Sequence, residues 1–399
     1  SRLGWPAPKN PGAAIDDAEY DLAVLDPLLH QPPDEVKGHG VYLLKANSNL
    51  ERSLRTRWKR WDTHWWPDAD GILKPDAATL EALGRHRMPA RSYSPSALQH
   101  YAVCPYRFLL YAIHRLKPRE ESAALERMDP LTRGALFHEV QFRFFGAIRD
   151  AGLIPVTSAN LDRATDVGDR AFADVASEYE ERLAPAIPRV WKSELEDLRI
   201  DLRGWIRQLA AIHAEWTPFH FEYAFGLPAG PAQETERDPE SLPGDVEILD
   251  GVRLRGSIDL VERHRVTNAL RVTDHKTGRA PWPEPRLVGK GEVLQPLLYA
   301  LAVEKVLGQP AKSGVLFYCT QRGGYRSVEI PLNREGRMRI EQVLGAIGDA
   351  IGAGSLPAAP RKDACGFCDY RIVCGPYEER RVKEKKERLD ALEDVRCLP

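Results

Sequence analysis

At 399 residues, with 43% hydrophobic and 29% charged side chains, the chain has the balance of a soluble globular protein. It has room for two or three domains, or for one large domain with extensions. A net charge of −2 gives no global sign of a nucleic-acid partner, yet a local basic groove would suffice for phosphate contacts. No run of about 18 apolar residues occurs, so no membrane span is expected. The six cysteines are too few for a disulfide scaffold, and their clustering favours metal ligation in a reducing, cytoplasmic setting.

The first residue is Ser1 and no signal peptide follows, so the chain reads as a piece of a longer polypeptide. Residues 1–36 are rich in Pro, Gly and Asp, with a short helix expected around Ala18–Leu29. Ser48-Asn-Leu-Glu51 has the form of a capping box. Leu50, Leu54, Trp58 and Trp61 then recur at helical spacing beside Arg52, Arg55, Arg57, Lys59 and Arg60. Basic residues interleaved with tryptophans could grip a nucleic-acid strand. An amphipathic helix with an aromatic core face and a solvated basic face is the weightier reading.

Ser94-Pro95 starts the next helix, with Ser as N-cap and Pro at the first position, and Cys104-Pro105 leads into another over Tyr106–Ile113. A strongly helical, Phe-rich run from Ala135 to Ile148 follows Gly134 and carries His138. Helical patterns continue from Leu161 to Trp216, broken near Pro185–Pro188. Phe219–Phe225 reads as a strand containing Glu222, and Leu227–Asp245 as a mobile surface loop.

Leu254–Lys276 reads as a hairpin with alternating Leu254, Ile258 and Leu260, then Leu270 and Val272, turning near Thr267-Asn268. Its strands end in Asp259 and Asp274. The period of two puts Asp274 and Lys276 on one face and turns His275 away. Two carboxylates beside a lysine can hold a hard divalent cation and orient a water, a phosphate-ester hydrolase in outline. An exposed loop with Trp282, Arg286 and Lys290 leads to a helix over Val293–Leu307, where Gln295 and Tyr299 lie one turn apart. Strands at Gly314–Cys319 and Tyr325–Ile330 and a helix at Arg334–Ala350 follow. Cys319 sits in an apolar strand and reads as inert. Cys365-Gly-Phe-Cys368 and Cys374 then leave a charged tail, Tyr377–Val395, expected to be a solvated helix. Cys397 reads as free.

As a set, Gly134-x-x-x-His138, Asp259, Asp274-x-Lys276 and Gln295-x-x-x-Tyr299 resemble, in order and spacing, the RecB-type branch of the PD-(D/E)xK nucleases. Cys104, Cys365, Cys368 and Cys374 extend this, resembling the iron–sulfur staple of AddB-like nucleases. The resemblance implies an α/β PD-(D/E)xK fold, a mixed central sheet flanked by helices, with the nuclease domain at 91–380. Residues 1–90 would be an N-terminal extension or the remnant of a helicase-like domain, and 381–399 a charged tail.

The resemblance further implies Mg²⁺ or Mn²⁺ held by His138, Asp259, Asp274 and the His275 carbonyl. A histidine ligand makes Mn²⁺ support plausible. Lys276 would position the attacking water, stabilise the pentavalent state or act as base, while Gln295 and Tyr299 orient the strand. Gly134 is expected to allow close helix approach. Glu222 would either tune the bound water or pair with a base. Asp274 departs from the commoner Glu by one methylene. A [4Fe–4S] cluster on the four cysteines outweighs zinc on the x5 gap and the distant first ligand. The expected activity is hydrolysis of DNA, single-stranded by preference, in double-strand-break repair or recombination, beside a helicase motor in cis or in trans. No Gly-x-x-x-x-Gly-Lys-Ser/Thr loop occurs, so this stretch carries no ATPase of its own. The rivals are a catalytically inactive DNA-binding module and a zinc-stapled scaffold.

Overall fold

In the computed structural model, residues 6–31, 33–117, 125–228, 237–280, 286–375 and 377–399 are described. Trp282 of the loop before Gln295, and residues 229–236 of the loop expected to be mobile, lie outside them. The helices run α1 Asp17–His30, α2 Val41–Ala46, α3 Ser48–Arg60, α4 Ala77–Gly84, α5 Pro95–Val103 and α6 Pro105–Phe108. They continue as α7 Pro130–Asp150, α8 Leu161–Leu183, α9 Pro188–Ile212, α10 Gln295–Leu307, α11 Arg334–Ala353, α12 Arg371–Cys374, α13 Glu378–Glu384 and α14 Asp390–Arg396. The strands are β1 Trp216–Phe225, β2 Val246–Leu249, β3 Val252–Leu254, β4 Gly256–His264, β5 Leu270–Lys276, β6 Ala311–Tyr318 and β7 Arg326–Pro331.

Two compact units divide the chain. The first comprises Ser1–His86, His100–Pro118 and Ile347–Asp394; the second comprises Arg87–Gln99, Arg119–Ala346 and Val395–Pro399. The second holds a five-stranded sheet in the order β1-β4-β5-β6-β7, with β2 and β3 as a separate pair. Only β5 and β6 run parallel. Parallel neighbours need a crossover, which α10 supplies. The expected mixed sheet flanked by helices is therefore what forms.

One face of that sheet is closed by α7, α8 and α9. Phe137, Val140, Phe144, Phe145, Phe172, Leu202, Trp205 and Leu209 pack there with Phe221, Leu260, Val315 and Phe317. Their helical spacing of three and four builds the apolar stripe. Alternation along β6 leaves Gly314 on the other face. A Cβ there would meet the Pro296 carbonyl oxygen at 2.4 Å, so its absence lets α10 lie against the strand.

In the first unit, Leu54 joins Leu28 and Val36 in a small core, with Leu50 and Trp58 packed against it. The amphipathic reading of α3 holds for these three positions. Its cap differs from expectation. Asn47 Oδ1 accepts from the Asn49 and Leu50 amides, so Ser48 is already helical. Asparagine is as good a cap as serine, and the register of the helix decides between neighbours. The tail also departs from expectation. It forms α13 and α14 rather than a solvated helix, with Glu378, Arg381 and Leu392 all buried. Charge density was a poor guide because Glu378 and Arg381 pair inward, while Lys383, Glu384, Lys386 and Arg388 stay exposed.

Candidate active site

Residues of the expected site meet in the second unit, at the end of β4 and β5. The pairing of β4 with β5 extends from Arg263↔Leu270 to Leu260↔Thr273. Beyond it lie Asp259 and the Asp274–Lys276 segment. Asp259 Oδ2 accepts from the His275 amide at 2.7 Å. A residue's N–H and C=O lie on the same edge of an extended strand, so the His275 carbonyl faces this gap as well. The imidazole of His275 turns away, as its parity requires. Its ring packs on Trp205 and Phe317, with centroids 5.7 and 5.8 Å apart. Burial holds it well below the ordinary histidine pKa, helped by His138 and Lys276.

His138 approaches from α7, which Asp129 caps through the Leu131 and Thr132 amides. Its Nδ1 lies 3.4 Å from Asp259 and 3.8 Å from Glu222. Ligand atoms of His138, Glu222 and Asp259 all lie within 4.8 Å of one another, the only such group of three among the described residues. Gly134 does not work as expected. A Cβ there would meet only Thr277 Oγ1 at 3.7 Å, an ordinary contact. The close approach is at Gly256, where a Cβ would fall 2.7 Å from the Tyr299 hydroxyl.

Glu222, left open between two roles by sequence, stands inside this group. The β1–β4 ladder pairs Phe221 with Leu260 and Tyr223 with Ile258, placing Glu222 opposite Asp259. Its φ of +48° is a left-handed conformation costing a non-glycine residue on the order of 1–3 kcal/mol. Neighbours hold it there. Ser257 donates to its carboxylate at 2.9 Å, and the Asp238 amide donates to its carbonyl at 3.2 Å. Asp238 is buried and accepts from the Phe221 amide and the His220 ring. Nothing in the sequence pattern marks Asp238.

A second cluster adjoins. Lys276 Nζ lies 2.5 Å from Asp274 Oδ2 and donates to Gln295 Oε1 at 3.4 Å. The Gln295 amide group donates to Asp274 Oδ1. Gln295 is fixed at the start of α10, where Gln99 accepts from the Leu294 and Gln295 amides at 2.9 and 3.1 Å. Gln99 is a further positioning residue that sequence reasoning missed. Tyr299 is buried one turn along. Burial pushes its phenol up, as do Asp274, Asp259 and Glu222, so it stays neutral.

The electrostatics are unbalanced. Burial raises the Asp259 carboxyl to about 7; His138 opposes this, while Asp274 and Glu222 add to it. Burial alone would lower the His138 imidazole, but Asp259, Glu222 and Asp274 raise it to about 9. Burial also works against the Lys276 ammonium, and Asp274 and Asp259 outweigh it, holding its pKa above the ordinary lysine value. Carboxylates crowded beside an imidazole are the donor chemistry of a hard-cation site.

This chain matches the sequence pattern of the PD-(D/E)XK nuclease superfamily over residues 92–375. It belongs to that superfamily. Members use divalent cations, in keeping with the donor set assembled here. The chain is also 28% identical over 238 residues to an ATP-dependent helicase/deoxyribonuclease subunit of Carboxydothermus hydrogenoformans. That match takes in 58% of this chain and 20% of the relative, so the chain spans about a fifth of the relative's length. The RecB-type, AddB-like resemblance is borne out. No helix among the described residues is long and apolar enough to cross a membrane.

In the first unit, Cys104, Cys365, Cys368 and Cys374 line one cavity. No three of their sulfurs gather to within 4.8 Å. Burial pushes the Cys365 and Cys374 thiols up to about 12. Of the other two cysteines, Cys397 is exposed. Cys319 is buried, its thiol pushed well up by that burial.

Proposed function

We propose that this protein is a metal-dependent deoxyribonuclease that hydrolyses phosphodiester bonds, acting on single-stranded DNA in double-strand-break repair or recombination. The observation that carries the reading is the meeting of His138, Glu222 and Asp259 beside the Asp274–Lys276–Gln295 chain. His138, Glu222 and Asp259 would hold Mg²⁺ or Mn²⁺, joined by Asp274 and the His275 carbonyl. Once bound, the cation lowers the pKa of a water and offsets charge on the phosphate. Lys276, kept protonated by two carboxylates, neutralises charge as it develops on the phosphoryl oxygens. Gln295 holds Asp274 and Lys276 in register, and Tyr299 lends a neutral hydroxyl where a phosphate oxygen would pass.

The cysteine cavity supports a [4Fe–4S] cluster over zinc. Tetrahedral zinc with bonds of about 2.3 Å keeps its sulfurs roughly 3.8 Å apart, a spacing that no three of these sulfurs share. All four thiolates would be engaged, giving the cluster a structural task. The relative's printed name, together with the missing phosphate loop, supports a helicase motor as partner, in cis or in trans.

Cleavage of end-labelled DNA with Mg²⁺ or Mn²⁺, comparing wild type with Asp274→Ala and Lys276→Ala, tests the reading. Metal-dependent cutting lost in both variants is expected. Equal cutting by all three proteins, or folded wild type that binds DNA and stays inert, would overturn it.

A further inference from the structure

A cavity of about 270 Å³ opens beside His138, Glu222 and Asp259. Its lining also takes in Phe142, Tyr179, Leu227 and Arg237, and Glu139, whose carboxylate accepts from Arg143 at 2.9 Å. Phe142 lies four residues after His138 on α7, so both side chains share a face about 6 Å apart along the axis. It is only half-buried, with Tyr179 and Leu227 continuing the apolar wall. Arg237, the residue before Asp238, also lines the cavity, and its Nη1 donates to the Pro228 carbonyl at 3.3 Å. Five hydrogen bonds pin Asp238: from its own amide to the Glu222 carbonyl, from the Ser241 amide to its carbonyl, and to its carboxylate from the Phe221 amide, the His220 ring and the Glu240 amide. The Arg237 backbone is thereby tied to the strand that carries Glu222.

The chemistry of this wall is divided in a way that matches a nucleotide. An aromatic face offers stacking to any base, and a guanidinium offers hydrogen bonds to a phosphate. Resting on the proposed nuclease activity, we propose that this cavity binds the nucleotide flanking the scissile phosphate. Its base lies on Phe142 and its phosphate meets Arg237. A base can reach Phe142 only when it is unpaired and unstacked, and drawing one from a duplex costs a few kcal/mol. The pocket therefore selects single strands and frayed ends over intact duplex.

The test mixes a short single-stranded oligonucleotide carrying 2-aminopurine with wild type, Phe142→Ala, Phe142→Trp and Arg237→Ala in Mn²⁺, read by stopped flow before cleavage. Stacking quenches the probe. Phe142→Ala should abolish the quench and weaken binding roughly 5- to 100-fold, and Phe142→Trp should keep both. The intact duplex should bind Phe142→Ala and wild type alike. Arg237→Ala should lower the slope of log affinity against log salt by about 0.7, one single-strand phosphate contact, which a merely structural role would not move. An unchanged quench in Phe142→Ala with an unchanged slope in Arg237→Ala overturns the pocket. If that protein still cleaves, the nuclease reading stands without it. If Phe142-dependent binding is found in a protein that never cleaves, the pocket stands and the catalytic reading falls.

Discussion

In the first unit, Arg60, Asp70, Glu378 and Arg381 are nearly excluded from water, and each charge meets its opposite. Arg60 donates to Asp70 and Glu378, both at 2.7 Å, and Arg381 donates to the same two carboxylates, both at 2.9 Å. Backbone carbonyls of Cys374, Arg60 and Ala358 take further guanidinium protons. In the second unit, Glu222, Asp259 and Asp274 crowd together with His138 and Lys276 as their cationic partners among the described residues, and the His138 imidazole and the Asp259 carboxyl hold protons well above their ordinary range. A satisfied buried network specifies a packing. An unsatisfied one, beside a cavity, marks where a cation and a substrate belong.

Breaking each kind of site should separate them. The largest effect is expected from Asp259→Asn. Cleavage should fall by on the order of 10³ or more, since the cation contributes several kcal/mol to the barrier. Folded stability without metal should hold, because a repelled carboxylate has gone; unfolding in urea with a cleavage assay reads both. In the first unit the pattern should invert. Arg381→Met removes one of the two guanidiniums that Asp70 and Glu378 share and should cost up to about 3–5 kcal/mol, read as a lower urea midpoint and loss of iron from the proposed cluster.

A smaller effect concerns pH. The folded-state pKa of His138 is raised to about 9, so its contribution to metal-free stability is complete below its unfolded value of about 6.5. It is lost as pH climbs through 9. A cation must displace that proton. The rise in melting temperature caused by Mn²⁺ should therefore grow from pH 7 to pH 9, as calorimetry at each pH would read. A constant increment would contradict the protonated site. The smallest effect is expected from Cys397→Ser, which should leave the iron and visible absorbance of the proposed cluster unchanged, whereas Cys374→Ser should lose both.

Legibility in the sequence followed the distance over which a pattern acts. Asp274-x-Lys276, Gln295-x-x-x-Tyr299 and the hairpin were readable because a strand or a helical turn fixes such spacings locally. Gly134-x-x-x-His138 was readable as a motif, yet its glycine was given a steric reason that belongs to Gly256. Glu222 reaches the site through a left-handed residue opposite Asp259, and no periodicity announces that. The Arg60–Arg381 contacts join residues 321 positions apart. From sequence, Arg60 reads as part of a solvated basic face and Arg381 as part of a solvated charged tail. Gln99, which fixes the start of α10 from nearly 200 residues away, was invisible for the same reason.

The most direct test is calorimetric titration of the metal-free protein with Mn²⁺, wild type against Asp259→Asn and Glu222→Gln. Saturable binding to wild type, abolished in Asp259→Asn and weakened in Glu222→Gln, is the predicted result. Wild type that takes up no Mn²⁺, or binding unchanged by both substitutions, would contradict a cation site built from His138, Glu222 and Asp259.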